Sequence, residues 1–308
     1  MIPKPRILVL RGGAIGDFIL TLPALRLVRE TFAHCHIEIL GYRHIAELAL
    51  RGSPGSGANY ADSVQNIEHG PLAGFFARNG NLSPELCAYF AGFQQVISWL
   101  YDPDLIFETN VKRAGVKHYL SAYTKITDDH HASAQLARGL ESLALYLEAP
   151  AAQLLPDATA QQAAQAWLDQ NSASDGLLAI HPGSGSARKN WPLENWRTLA
   201  QHLTQRGHRL LLIGGEADTL FPLPGALTAH NLPLSTLAAL LTRSTHYLGH
   251  DTGISHLAAA VGTPCTLLFG PTDPAIWAPL GPHIRTLRAE NNDLTQLPVA
   301  HVAQTLQS

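Results

Sequence analysis

The sequence predicts an α/β protein built from two doubly wound parallel-sheet units, on three observations. Short apolar runs alternate with helical patterns over the first fifty residues, as in a parallel sheet with crossover helices. The same alternation restarts after a segment rich in alanine and proline at 148–159. The chain of 308 residues, 46% of them hydrophobic, is long enough for two domains of ordinary size.

The elements of the first half follow from apolar runs and the turn residues between them. The predicted strands are 6–11, 36–40, 104–108 and one near 115–120. The predicted helices are 17–32, 42–51, one near 84–101 and one near 132–147. Glycine and serine predict a loop over 52–59.

The second half repeats this alternation. The predicted strands are 176–181, 208–214, 245–249 and 265–270. The predicted helices are 160–170, 192–206, 234–242, 253–261 and a short one within 294–307. We predict domains 1–153 and 154–308, with the last helix a candidate for packing back on the first domain. Ligands of open α/β sheets bind at the carboxyl ends of the strands, so the site is expected in a cleft between the domains.

Composition argues against several classes of protein. A formal net charge of -3 gives no reason to expect a nucleic-acid partner. Cys35, Cys87 and Cys265 are far apart and odd in number, which favours free thiols and a cytoplasmic protein. No apolar run approaches the roughly 18 residues of a membrane span, and no signal peptide is recognisable. Sixteen histidines are present, but their spacing lacks the companion ligands of a metal site.

The sequence HPGSGSARKNWP at 181–192 is rich in groups that bind anions and lies between a predicted strand and a predicted helix. Its glycines allow main-chain N–H groups to approach a phosphate, its serines, among them Ser184, add hydroxyls, and Arg188 and Lys189 add positive charge. It is neither a Walker A loop nor a G-x-G-x-x-G loop. The alternative is a polar connection with solvated cations.

The sequence GHDTGISHLAAAVGTP at 249–264 predicts a well-capped helix after a strand. Asp251 and Thr252 stand where the strand becomes a helix, and Gly253 leaves its first turn open. Taken alone, the pattern indicates only a capped helix, with His256 a core residue.

GGEAD at 214–218 adds Glu216, which can accept hydrogen bonds from a ribose or can simply be a first-turn acid. The 181–192 loop, this segment and the capped helix all follow strands of one predicted sheet. Their combination therefore predicts a nucleotide site at the carboxyl edge of that sheet.

In order along the chain, GGAIGD, LTLPALRLVRE, HPGSG…KNWP, GGEAD and DTGISHLAAAVGTPCTLLFGPTDP resemble the motifs of glycosyltransferase family 9, which includes the ADP-heptose lipopolysaccharide heptosyltransferases. The resemblance implies a GT-B fold and inverting sugar transfer without a metal ion or other cofactor. It also implies a nucleotide-sugar donor, ADP-heptose, held mainly by the second domain. By motif, Asp17 matches the catalytic acid of the family. The donor-binding positions are matched by Ser184, Lys189, Glu216, Asp251, Thr252, Gly253 and His256.

The resemblance assigns Asp17 as the general base that takes a proton from the acceptor hydroxyl. Lys189 and the helix N-terminus at 251–253 would then stabilise the charge that grows on the diphosphate. From the residues alone, Asp17 can equally be an acid favoured by the dipole of the first helix.

The implied acceptor is a lipid-linked or oligosaccharide glycan, such as a lipopolysaccharide core, at the inner membrane surface. The protein would be cytoplasmic, with peripheral membrane binding as an option. Residues 52–120 keep only a vague likeness to the family and should choose the acceptor.

Two other interpretations stay open at this point. One is a nucleotide-dependent oxidoreductase on two Rossmann-like units. Arg11 argues against it, because this arginine occupies the position of the first glycine in the dinucleotide-binding G-x-G-x-x-G motif. The other is a carbohydrate-binding relative that has lost turnover.

Overall fold

The computed structural model describes residues 4–50, 59–216, 218, 221–223 and 225–306. The chain forms two compact units. The first comprises Met1–Thr127 with Ala132–Pro150, and the second comprises Asp128–His131 with Ala151–Ser308. Each contains one parallel β-sheet, which confirms the predicted fold class.

The first unit is a five-stranded parallel sheet with helical connections. Its strands are β1 (Arg6–Arg11), β2 (His36–Gly41), β3 (Ser63–Asn66), β4 (Gln95–Ser98) and β5 (Tyr119–Ser121). Its helices are α1 (Ile15–Thr31), α2 (Arg43–Ala46), α3 (Pro84–Ala91), α4 (Ile106–Arg113) and α5 (Ala132–Ala137), with 3₁₀ segments at Glu47–Leu50, Gly70–Phe76 and Arg138–Leu143. The strand order is β3-β2-β1-β4-β5, so the winding direction reverses between β1 and β4. That reversal is a topological switch point, where ligands of such sheets bind.

Strand β1 and helix α1 show how the sequence builds this centre. The four inner residues of RILVLR are buried, as expected of a strand covered on both faces of a parallel sheet. Gly13 has a φ of 96°, a conformation that favours glycine, and it turns the chain into α1. Asp17 therefore lies in the first turn of that helix.

The second unit is a six-stranded parallel sheet. Its strands are β6 (Leu178–His181), β7 (Leu210–Gly214), β8 (Leu227–His230), β9 (His246–His250), β10 (Cys265–Phe269) and β11 (Ile284–Arg288). Its helices are α6 (Ala158–Gln170), α7 (Leu193–Gln205), α8 (Leu234–Thr242), α9 (Gly253–Ala260), α10 (Pro274–Trp277) and α11 (Val299–Thr305), with 3₁₀ segments at Ala187–Lys189, Glu290–Asn292 and Leu294–Gln296. The order β11-β10-β9-β6-β7-β8 places the switch point between β6 and β9.

A tryptophan pair anchors the core of the second unit beneath the 181–192 loop. Trp191 and Trp196 are buried with their rings nearly perpendicular at 5.2 Å between centroids. The indole N–H of Trp191 donates to the carbonyl of Leu297 at 2.9 Å. Val302 of α11 joins the same core, so the last helix packs within the second unit, against α7.

Two predicted elements of the first unit are wrong. The helix near 84–101 is instead the short helix α3 followed by the buried strand β4, because helix and strand are hard to distinguish in a short apolar run. The strand predicted at 104–108 falls largely in helix α4. The carboxylate of Asp102 accepts hydrogen bonds from the N–H groups of Ile106 and Glu108, both at 2.9 Å. This cap outweighs the local strand preference of the β-branched and aromatic residues.

Besides β4, three further strands were not predicted from the sequence, namely β3, β8 and β11. All three are edge strands of their sheets, and few of their residues are buried. An edge strand does not need the continuous apolar run by which a central parallel strand is recognised. The helices predicted at 42–51 and 132–147 are shorter than expected and continue as 3₁₀ turns. Most of the loop predicted over 52–59 lies outside the described residues.

Acid is expected to destabilise the fold through His246 at the start of β9. Burial, together with a smaller effect of Arg285, lowers the pKa of His246 to about 4. The folded state thus binds fewer protons than the unfolded state between about pH 6.5 and pH 4, so stability falls as the pH falls through this window. At pH 5 the loss from this group is about 2 kcal/mol.

Urea unfolding of the wild type and of His246→Gln at pH 7 and pH 5 measures this effect. Glutamine does not titrate and can keep the hydrogen bond that His246 Nε2 makes with Thr266 Oγ1 at 2.9 Å. The variant should lose less stability on acidification, and an equal loss in both proteins would contradict the assignment.

Candidate functional site

A cavity of about 450 Å³ lies at the carboxyl edge of the sheet in the first unit. Residues that follow all five strands line it: Gly12 and Gly13 after β1, Tyr42 after β2, Glu68 after β3, Tyr101 after β4 and Tyr123 after β5. This is the edge at which parallel α/β sheets bind ligands.

Asp17 lies beside this cavity in the first turn of α1. Its Oδ2 accepts a hydrogen bond from the main-chain N–H of Ala14 at 3.2 Å, which orients the carboxylate. A Cβ atom placed on Gly13, which lines the cavity, would stand 3.2 Å from the same Oδ2. Asp17 is half-buried and close to the cavity wall, and its role as a proton acceptor stays a prediction.

Arg11 links β1 to α1 and holds the main chain at Asp17. Its Nη2 donates to the carbonyl of Asp17 at 2.8 Å and its Nε donates to Thr21 Oγ1 at 2.9 Å. The Thr21 hydroxyl donates to the same carbonyl at 2.7 Å. Burial lowers the pKa of Arg11, an effect opposed by Asp17 and Tyr123. The guanidinium nevertheless stays charged, so it is a permanent cation next to Asp17.

In the second unit, an ion pair joins the 181–192 loop to the start of α9. Lys189 Nζ donates to Asp251 Oδ2 at 2.6 Å, and Thr272 Oγ1 donates to the same oxygen at 2.8 Å. The loop follows β6 and Asp251 follows β9, the two strands at the switch point. A fixed cation therefore lies at the N-terminal end of a helix, an arrangement that suits an anionic ligand.

Gly183 allows the loop to approach the end of β7 closely. A Cβ atom at this position would collide with the carboxylate of Asp218. Asp218 Oδ2 makes hydrogen bonds with His181 Nε2 at 3.1 Å and with the main-chain N–H of Gly215 at 2.7 Å. The bond to His181 lowers the pKa of this carboxyl group. A side chain at position 183 would therefore displace the Asp218 carboxylate from these hydrogen bonds.

Thr252 is the N-cap of α9, as predicted. Its Oγ1 accepts from the N–H of Ser255 at 3.3 Å and lies 3.3 Å from His181 Nδ1. Gly253 is the first residue of the helix and adds no side chain above the helix end. His256 is buried in the same helix, only 4% exposed. Thr252 and Gly253 thus form the N-terminal end of the helix, while His256 lies on its buried side.

Ser184 and Glu216 show no contact that by itself indicates a ligand-binding role. Ser184 Oγ lies 2.7 Å from the carbonyl of Ser186 and 2.6 Å from Asn190 Oδ1, and its single proton can serve only one of these acceptors. The hydroxyl therefore stabilises the loop internally. Glu216 is exposed in the turn after β7. Its contact with a ribose stays a prediction.

Sequence reasoning missed Asp218 and the aromatic lining of the cavity. Asp218 is the second acid of GGEAD, and its distance of four residues from the end of β7 was the available signal. Tyr101 and Tyr123 have neighbouring rings, 5.2 Å apart at an angle of 51°. They follow different strands, β4 and β5, so only the fold brings them together.

No three side chains of the His, Cys, Asp and Glu types come together as a metal site within the part of the chain that the structure describes. None of the described helices is both long enough and apolar enough to cross a membrane. Metal independence of the reaction stays a prediction.

Comparison with known proteins gives consistent matches. The sequence model of glycosyltransferase family 9 (heptosyltransferase) matches residues 107–305. Lipopolysaccharide heptosyltransferase 3 of Escherichia coli K12 is 24% identical, over 93% of this chain and 88% of that protein. A lipopolysaccharide heptosyltransferase 1 of Escherichia coli is 33% identical, but the match spans only 39% of this chain and 39% of that protein.

Two solved structures share the fold over nearly the whole chain. A glycosyl transferase family 9 protein from Veillonella parvula has a TM-score of 0.78 at 19% identity, covering 99% of this chain and 98% of that one. Escherichia coli ADP-heptose lps heptosyltransferase II has a TM-score of 0.77 at 16% identity, covering 98% and 97%.

Two Rossmann-like parallel-sheet domains in one chain, shared with these structures, define the GT-B class of glycosyltransferases. Within that class, the chain belongs to glycosyltransferase family 9, whose model matches more than half of its length. This membership confirms the resemblance seen in the motifs and decides against a nucleotide-dependent oxidoreductase.

Proposed function

We propose that this chain transfers a heptose from ADP-heptose to a lipopolysaccharide core or a related lipid-linked glycan at the inner membrane surface, with inversion and without a metal ion. The observation that carries the proposal is the Lys189 ammonium held 2.6 Å from Asp251 at the start of α9. A cation and a helix N-terminus at a switch point suit the diphosphate of a nucleotide sugar. Structures of Escherichia coli heptosyltransferase WaaC with ADP and with ADP-2-deoxy-2-fluoro heptose support this choice of donor, at TM-scores of 0.70 and 0.66.

On the donor side, negative charge grows on the leaving diphosphate as the sugar–oxygen bond breaks. Lys189 and the free N–H groups at the start of α9 offset that charge, which is the task a divalent metal performs in other transferases. Asp251 and Thr272 fix the side chain of Lys189, so little reorganisation is needed when the ligand arrives. Glu216, at the end of the neighbouring strand β7, is the candidate acceptor for ribose hydroxyls.

On the acceptor side, Asp17 takes the proton from the attacking hydroxyl. The oxygen then attacks the anomeric carbon on the face opposite the leaving ADP, which inverts the configuration. The hydrogen bond from Ala14 orients the carboxylate, and Arg11 holds the main chain of the same residue beside the cavity. A preoriented base lowers the barrier because no rotamer search precedes proton transfer.

The cavity of the first unit is suited to a sugar rather than to a phosphate. Tyr101 is 71% exposed and Tyr123 is 41% exposed, and both present ring surface at its rim. Aromatic rings pack against the C–H faces of sugars, while their hydroxyls remain available for hydrogen bonds. We assign this cavity to the acceptor glycan.

A donor screen tests the proposal. Because a ligand that binds only the native state raises its melting temperature, ADP-heptose should raise the melting temperature more than UDP- or GDP-sugars at equal concentration. The same ADP-heptose should then be transferred to a heptose-deficient core acceptor. Stabilisation and transfer by a UDP-sugar alone would contradict the donor assignment. Binding without transfer or hydrolysis would favour a carbohydrate-binding relative that has lost turnover.

Activity is expected to survive removal of divalent cations. The charge on the leaving group is offset by Lys189 and a helix N-terminus in the proposed mechanism, so EDTA should change the rate by less than about twofold. The rate is measured with and without EDTA, and then with added magnesium or manganese. A loss of turnover that either ion restores would overturn the metal-free mechanism.

Tyr101→Ala is expected to raise KM for the acceptor by about 2- to 12-fold with little change in kcat, because the interaction of an aromatic ring is worth about 0.5–1.5 kcal/mol. The matched control is Tyr146→Ala, which removes a tyrosine that is 65% exposed in the same unit and does not line the cavity. Equal KM values in the two variants would remove Tyr101 from the acceptor site.

A further inference from the structure

His250 occupies a position between the two ends of the 181–192 loop. It is the last residue of β9, directly before Asp251, and it is fully buried. The main-chain N–H of Trp191, at the end of the loop, donates to its Nε2 at 2.8 Å. The ring of His250 thus fixes the C-terminal end of the loop through a hydrogen bond to the main chain.

The hydrogen bond from Trp191 fixes the tautomer of the ring. A neutral imidazole that accepts at Nε2 must carry its proton on Nδ1. Nδ1 is buried and makes no hydrogen bond of normal geometry within the described residues. The register of β6 and β9 pairs His181 with Gly249, so the beginning of the loop lies beside His250.

The ring is held in this neutral state and in one orientation. Burial, together with a smaller effect of His181, lowers the pKa of His250 to about 3. Trp196 packs edge to face on the ring at 5.4 Å between centroids. The carbonyl of His250 accepts a hydrogen bond from the hydroxyl of Ser255, which ties the end of β9 to α9. The imidazole is therefore a fixed, uncharged bridge in the core.

We propose that His250 is a positioning residue that closes the base of the 181–192 loop. Its Nε2 holds Trp191 at the end of the loop, and the pairing of β6 with β9 places the beginning of the loop beside the same residue, so the loop keeps the length and curvature that place Lys189 against Asp251. The expected effect of His250 on ligand binding rests on the proposed function, in which this loop receives the donor diphosphate. Its expected effect on the conformation of the loop is independent of the proposed function.

Three variants test the contributions of the two ring nitrogen atoms separately. His250→Gln can place an amide oxygen where Nε2 accepts from Trp191, whereas His250→Asn reaches only the position of Nδ1. His250→Phe keeps a ring against Trp196 and removes both polar atoms. Leu248→Val is the matched control, because Leu248 is buried in the same strand and core but has no polar side-chain atom that could bond to the loop.

Two measurements are made on the full-length protein. Limited trypsin digestion, with the fragments identified by mass, measures cleavage after Arg188 and Lys189 and so the opening of the loop. Calorimetric titration with ADP measures ligand affinity. His250→Phe should be cleaved in the loop at least about tenfold faster than wild type and should bind ADP about tenfold more weakly, since a lost hydrogen bond is of that order. His250→Gln should stay near wild type, and Leu248→Val should show neither effect.

Loop cleavage at the wild-type rate in His250→Phe would overturn the proposal, as would equal acceleration in Leu248→Val. If His250→Phe does not fold, the comparison of His250→Gln with His250→Asn decides: faster loop cleavage in the asparagine variant supports the bridge, and equal rates overturn it. If wild type does not bind ADP while the cleavage difference persists, the donor assignment fails and the role of His250 in the loop stands. If ADP binds wild type and His250→Phe equally, the donor assignment stands and the positioning role fails.

Discussion

Replacement of Asp17 by asparagine is expected to lower turnover by about 100- to 10,000-fold, the usual contribution of a positioned proton acceptor. The amide keeps the size of the side chain and an oxygen that can accept from the N–H of Ala14, so the first turn of α1 should be preserved. It cannot take a proton from the acceptor hydroxyl. ADP affinity should stay near wild type, because the residues assigned to the donor belong to the second unit.

Three measurements on one preparation make this test decisive: the melting temperature, ADP affinity and the single-turnover rate of transfer. The matched control is Glu85→Gln, which neutralises another first-turn acid of the same unit, in α3. If Asp17 acts only through the helix dipole, both variants should lose a few tenths to about 1 kcal/mol of stability and keep their rates. Near-normal turnover of Asp17→Asn would end its assignment as the base.

Lys189→Met is expected to weaken donor binding and to slow transfer. The combined loss should be roughly 10- to 150-fold, because a charge-assisted contact to phosphate is worth roughly 1.5–3 kcal/mol. Methionine keeps most of the length of the chain and removes the charge. Asp251 keeps its hydrogen bond from Thr272, so the start of α9 should remain in place.

Arg188→Ala is the control for Lys189, since it removes the neighbouring cation, which is exposed in the same loop. A general electrostatic attraction of the donor would make both variants similarly weak and strongly dependent on salt. A specific contact would confine the loss to Lys189. Unchanged ADP affinity and rate in Lys189→Met would remove this residue from the site.

Strand β1 and the helices α8 and α9 could be predicted from the sequence because their signals are local. Strand β1 is a continuous apolar run, and α8 was predicted with the bounds Leu234–Thr242 that the structure shows. Thr252 was identified as a cap from its place between a strand and a helix. The edge strand β11 was missed because an edge buries few side chains and leaves little apolar pattern.

The sequence by itself determined the fold class, the family, and the residue types of the candidate site, since strand–turn–helix periodicity and the motif order are properties of neighbouring residues. Only the tertiary structure decided which of these residues meet. Lys189 and Asp251 are 62 residues apart and form an ion pair because β6 and β9 are adjacent in the sheet. In the sequence, His250 is one of sixteen histidines with no distinguishing pattern. Its contact with Trp191 exists only because the loop after strand β6 packs against the end of β9. Contacts of this kind depend on strand order and side-chain packing, which local sequence patterns do not encode.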